Sequence, residues 1–214
     1  MYHFAVLLPD RKSLARLLYH LAETKLGVQG AADHGVSEAL YLADPDGNGI
    51  ELYRDRRKNE WPVDDLGRLQ MGTEALDIDD LVMELKGGLE PYQGLPQKTT
   101  IGHVHLQVRN LAEAEQFYNG ALGFKVMQRY ESGAIFVSAG GYHHHIGLNT
   151  WAGEGAPPPP ADATGLRWFE VVLPDSAALD GVLARLKAAG VTGEEQDGGV
   201  LVHDPSQNGI LLRG

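Results

Sequence analysis

Two stretches of this chain repeat each other, and that repeat limits what the chain can fold into more than any other feature. Val6-Leu7-Leu8-Pro9-Asp10 recurs as Val171-Val172-Leu173-Pro174-Asp175. Asp44-Pro45-Asp46-Gly47-Asn48-Gly49-Ile50-Glu51-Leu52 recurs as Asp204-Pro205-Ser206-Gln207-Asn208-Gly209-Ile210-Leu211-Leu212. The offset between copies drifts only from 165 to 160 residues, as a small loop deletion would produce. A unit of about 50 residues is the size of one supersecondary module, so the fold should be assembled from modules. The first copy reads as a strand over Tyr2–Leu8, a helix over Ser13–Lys25 with Leu14, Leu17, Leu18 and Leu21 inward, and strands over Ala39–Ala43 and Gly49–Arg54. The last copy reads as a strand over Arg167–Leu173, a helix over Ser176–Ala189, and strands over Val200–His203 and Ile210–Arg213.

The stretch between them, Ile101 to Trp151, has the same organisation. His103–Val108 alternates as a strand does. Asn110 suits the N-cap of a helix from Leu111 to about Leu122, which Gly123 ends. Strands are expected over Lys125–Tyr130, Ala134–Ser138 and His143–Thr150. The order is strand, helix, strand, strand, strand, and the fold class is α+β. The expected division is a module over 1–56, a surface linker over 57–100, a module over 101–151, a Pro-rich connector over 152–164 and a degenerate module over 165–214. Within the linker, a short helix is expected over Leu76–Leu85, capped near Thr73 or Asp77.

Composition narrows the function. The net charge of −11 comes from scattered acids and argues against a nucleic-acid partner. There is no cysteine, so neither a disulfide framework nor a thiolate metal site is available, and any metal must be held by His and carboxylate. No apolar run is long enough to span a bilayer. A cytoplasmic enzyme or binding protein is expected, with no membrane partner.

Comparison of the copies points to a site. His3 stands where the last copy has Trp168, and Glu51 stands where it has Leu211. A residue needed only for folding should persist in both copies, so His3 and Glu51 are candidate site residues. With His103 they make a two-His, one-carboxylate set, the donor type that holds Fe(II) or another divalent ion and leaves positions open. His105 lies two residues along the same strand face, as an outer partner or a structural residue. The run His143–His145 would present His144 opposite to its two neighbours. His20, His203, Trp61 and Trp151 read as structural.

The stretches TTIGHVHLQVRNL, SAGGYHHHIGLNTWAG, YHFAVLLPDRKSL and DHGVSEALYLADPDGNGIELYRDR together resemble the vicinal oxygen chelate superfamily, and within it the two-domain bacterial extradiol dioxygenases of the catechol 2,3-cleaving kind. The resemblance implies βαβββ modules pairing into half-barrels around a metal. Carried over residue by residue, it implies His3, His103 and Glu51 as metal ligands, His144 as acid–base, and Tyr41 and His34 as substrate-binding groups. It implies Fe(II), with Mn, Ni or Zn as alternatives, and a small aromatic diol and O2 as partners in a homo-oligomer. The family has four modules and three are legible here. The chain is therefore expected to lack the module that would precede residue 1, through truncation or a misplaced start codon, and its last module to be left without a partner. Three other readings belong to the same fold: a glyoxalase-like metal-dependent isomerase or lyase, a non-catalytic binding protein of the resistance type, and an inactive fragment.

Overall fold

The computed structural model describes residues 1–88, 91–160 and 162–214. The expected linker and connector include residues 89, 90 and 161, which lie outside the described residues. The chain divides into two compact units, His3–His103 and Val104–Gly214, the latter joined by Met1–Tyr2.

In the first unit, β1 (His3–Leu8) leads into α1 (Arg11–Glu23), followed by β2 (Gly30–Asp33), β3 (Ser37–Ala43), β4 (Gly49–Asp55), β5 (Glu74–Ala75) and α2 (Ile78–Met83). The strand order is β5-β2-β3-β4-β1, with β1 parallel to β4 and the other pairs antiparallel. Helix α1 begins two residues before its expected start because Asp10 caps it, accepting a 2.8 Å bond from the Ser13 N–H. Strand alternation sorts the sheet into two faces. One face carries Leu8, Leu40 and Leu52 against Leu14, Leu17 and Leu21 of α1. The other carries His3, Ala5, Ala39, Tyr41, Glu51 and Tyr53.

The segment after β4 is exposed over most of its described length but is not only a surface linker. Leu76 and the fully buried Leu81 join the α1 core, and β5 extends the sheet beside β2. Asp77 caps α2, as one of the two expected caps. Strand β2 was not expected. Its sequence, Gly-Ala-Ala-Asp, has no strand propensity of its own and becomes a strand by pairing with β3. The core side of this unit also holds Glu38, only 2% exposed, which accepts from Arg11, Arg54 and Arg56. Three guanidinium partners are what a carboxylate needs to be stable at that depth.

Strand β6 (Thr100–Gln107) begins in the first unit and ends in the second, which continues with α3 (Leu111–Glu115), β7 (Lys125–Tyr130), β8 (Ala134–Ser138), β9 (Ile146–Asn149), β10 (Phe169–Val172), α4 (Ser176–Ala188), β11 (Glu194–Gln196), β12 (Gly199–His203) and β13 (Gly209–Arg213). The strand orders are β6-β9-β8-β7 and β10-β13-β12-β11, with β6 parallel to β9 and β10 parallel to β13. With β1-β4-β3-β2 this makes three copies of one topology, and the α+β class is what the structure has. The expected helix over 111–122 is one α turn followed by a π-helical turn over Gln116–Ala121, and Gly123 ends it at φ +92°. The repeated Asp-Pro motif is a turn device in both copies. Asp44 accepts from the N–H groups of Asp46 and Asn48, and Asp204 from those of Ser206 and Asn208.

The last module is not left without a partner. It packs on the middle module, with the Tyr118 hydroxyl donating to Asp204 at 3.0 Å and Arg185 donating to the carbonyls of Ala121 and Leu122. Among the described residues, no helix is long and apolar enough to cross a membrane.

Candidate metal centre

The first residue of β1, a residue two steps along β4 and a residue early in β6 converge on one face of the first unit. His3 Nε2 lies 2.9 Å from Glu51 Oε2, His103 Nε2 lies 3.2 Å from the same oxygen, and the two Nε2 atoms are 3.4 Å apart. All three side chains are buried, with residue exposures of 5%, 3% and 4% for His3, Glu51 and His103. Among the described residues this is the group of three His or carboxylate side chains whose donor atoms lie within 4.8 Å of one another.

The donor set suits a divalent ion. Donors about 2.1 Å from one ion and about 90–110° apart lie about 3.0–3.4 Å from each other, close to the spacings found. Burial alone pushes the Glu51 carboxyl up. The charge and hydrogen bonds of His103, with those of His3, outweigh it and hold the carboxyl well below the usual range. The group is therefore an anion at neutral pH, as a hard cation requires.

Tyr41 pairs directly with Glu51 across β3 and β4, and its ring lies 5.8 Å from that of His3. Its hydroxyl is 2.6 Å from His34 Nε2, while His34 Nδ1 is 2.8 Å from the Gly72 carbonyl. A carbonyl only accepts, so Nδ1 carries a proton. In the neutral imidazole Nε2 then accepts from Tyr41. Five of the six expected site residues, His3, Glu51, His103, Tyr41 and His34, thus sit together in this unit.

The sixth, His144, belongs to the second unit. There its Nδ1 is 2.9 Å from His143 Nδ1 and its ring is 5.0 Å from Phe136. The expected strand over His143–Thr150 is shorter, covering only Ile146–Asn149, so the histidine run precedes it and strand alternation does not set its directions. His143 is fully buried and His145 Nδ1 faces the Ser138 hydroxyl at 3.0 Å. His105 is packed among Tyr2, Phe136 and Trp151, with its ring against Gly147, where any Cβ would come within 2.8 Å. Trp151 is 45% exposed and closes that aromatic cluster from outside.

Residues 100–210 match the Glyoxalase/Bleomycin resistance protein/Dioxygenase superfamily. A Bacillus subtilis (strain 168) protein named Catechol-2,3-dioxygenase is 52% identical over 206 residues, covering 96% of this chain and 71% of the relative. The chain belongs to this superfamily. Two solved structures share the superfamily fold over nearly the whole chain. Glyoxalase I from Zea mays has a TM-score of 0.58 at 15% identity, covering 98% of this chain and 66% of that one. An inferred dioxygenase of Bacillus subtilis has a TM-score of 0.61 at 9% identity, covering 99% and 60%. Tyr53, on the superfamily module's last strand, was missed by the sequence reading. The signal was there in the Glu51-x-Tyr53 alternation, which puts its ring on the site face, 4.9 Å from that of His103.

Proposed function

We propose that this protein is an extradiol ring-cleaving dioxygenase acting on catechol or a substituted catechol with O2 through Fe(II). The observation that carries the reading is the meeting of two imidazole Nε2 atoms and one buried carboxylate within 4.8 Å, in a chain 52% identical to a protein named Catechol-2,3-dioxygenase. His3, His103 and Glu51 would hold the ion; Mn, Ni and Zn suit the same donors. When bound, the ion supplies a Lewis acid that lowers the pKa of the diol hydroxyls and a common site for the diol and O2. Tyr41, donating to His34, keeps its lone pairs available to a substrate hydroxyl and orients it beside the centre. By the resemblance alone, His144 is the candidate for the proton transfer.

The bond broken is a ring C–C bond next to the diol. Both atoms of O2 enter the product, so no reductant is consumed. A small aromatic diol and O2 are the partners, and the reading takes the protein as cytoplasmic and homo-oligomeric. The test is anaerobic loading with Fe(II), addition of catechol, then admission of O2. The expected result is the yellow absorbance of a ring-opened semialdehyde with one O2 consumed per catechol. Absence of O2 uptake by iron-loaded protein refutes the reading, and tight nickel or zinc without oxygenase activity would point to isomerase or lyase chemistry instead.

A further inference from the structure

We propose that Tyr53 and Gly102 form a lock that positions the His103 imidazole in the candidate metal centre. The inference rests on the reading of His3, Glu51 and His103 as a metal site and adds a pair of residues that are not themselves ligands. Tyr53 lies on the same face of β4 as Glu51, two residues further on, and is fully buried. Its ring is 4.9 Å from the His103 ring at an interplanar angle of 54°. The hydroxyl end of Tyr53 reaches the backbone just before that histidine. A Cβ on Gly102 would overlap the Tyr53 hydroxyl, lie 2.7 Å from Cζ and lie 3.0 Å from Leu7 Cβ. Gly102 has no left-handed φ, so its backbone conformation does not demand glycine. The space taken by Tyr53 does.

The copies of the module support the same assignment independently. The stretch Gly49–Leu52 matches Gly209–Leu212 at an offset of 160, which sets Tyr53 against Arg213. Leu52 and Leu212, which are buried core residues, are kept, whereas Glu51 and Tyr53 are both replaced in the copy that has no histidine on its first strand. Tyr53 therefore goes with Glu51 and not with the fold. Its ring packs against the His103 imidazole and its hydroxyl end against the backbone at Gly102, so reorienting the imidazole would need Tyr53 or the β6 backbone to move. Nε2 then stays aimed at the point where Glu51 and His3 also point. Outer residues that fix a ligand ring set metal affinity in this way.

Cobalt(II), a redox-stable ion with visible ligand-field bands, is the probe. The wild-type chain should bind one Co(II) with those bands. Tyr53→Leu and Gly102→Ala should each bind about ten- to hundredfold more weakly and shift the bands, with far-UV circular dichroism showing them folded. Tyr53→Phe keeps the ring and should stay within about threefold of the wild type, because packing and not the hydroxyl positions the imidazole. Gly102→Ala combined with Tyr53→Phe should recover part of the loss of Gly102→Ala alone, since removing the hydroxyl removes the worst overlap. Should Gly102→Ala not fold, Tyr53→Leu, which opens space, carries the test. Folded Tyr53→Leu with wild-type affinity and unshifted bands overturns the lock alone. A wild-type chain that binds no Co(II) overturns the metal-site reading and the lock with it.

Discussion

Replacing Glu51 by Gln tests the metal centre through stability, without recourse to turnover. The side chain is 3% exposed and both imidazoles face one of its oxygens at 2.9 and 3.2 Å. Gln keeps the shape and removes the charge. In the metal-free protein two effects oppose each other: the ionic hydrogen bonds weaken, and the cost of burying a carboxylate disappears. With metal present nothing compensates, and affinity should fall by at least about a hundredfold, the upper end of what loss of an outer hydrogen-bond partner costs. At a free-metal concentration of about 100 times the wild-type Kd, binding adds about 2.7 kcal/mol to the wild type. The variant, then at about its own Kd, gains about 0.4 kcal/mol. For a unit of about 100 residues the unfolding entropy is about 0.2 kcal/mol per kelvin, so the wild type should melt about 13 °C higher with metal and the variant about 2 °C higher. Scanning calorimetry with and without Fe(II) or Co(II) reads the two shifts. Equal shifts in both proteins, or none in either, would show that Glu51 is not part of a metal site.

Two further outcomes concern the frame around the centre. Leu81 is fully buried in the α1 core, so Leu81→Ala should cost about 2–5 kcal/mol in urea denaturation; a change under about 0.5 kcal/mol is what a surface segment would give. Asp33 titrates below the ordinary carboxylate range: burial pushes it up, but the Gly35 N–H and Arg56 together pull it further down. A lowered folded pKa contributes stability that is full above the unfolded value of about 4 and is lost as pH falls through the folded pKa. Arg56→Gln should therefore flatten the fall of the urea midpoint below about pH 4, and an unchanged slope refutes the pairing.

What could be read along the chain was set by local chemistry. Tyr2–Leu8 could be read as a strand from its continuous apolar run, and His103–Val108 from an alternation that has period two because strands do. The expected caps at Asp77 and Asn110 follow from the orphan N–H groups of a helix start. The turn at Asp44–Asn48 recurs at Asp204–Asn208 because the same aspartate closes it. Even His3 and Glu51 could be picked out, since the last copy folds the same way with Trp168 and Leu211 in their places.

What the tertiary structure decided was everything that depends on partners distant in sequence. β2 is a strand because β3 and β5 pair with it, not because Gly-Ala-Ala-Asp prefers to be one. The segment carrying Leu76 and Leu81 is core because α1 offers it an apolar face, which composition over 57–100 does not reveal. Glu38 is a buried ion only because Arg11 of α1, Arg54 of β4 and Arg56 just after β4 all reach it. Gly102 reads locally as a weak point in a strand, and its reason lies 49 residues earlier in the ring of Tyr53. Local preferences are energies of one residue and its neighbours; a shared donor cluster or an excluded Cβ is a property of two strands brought side by side, and no stretch of sequence contains it.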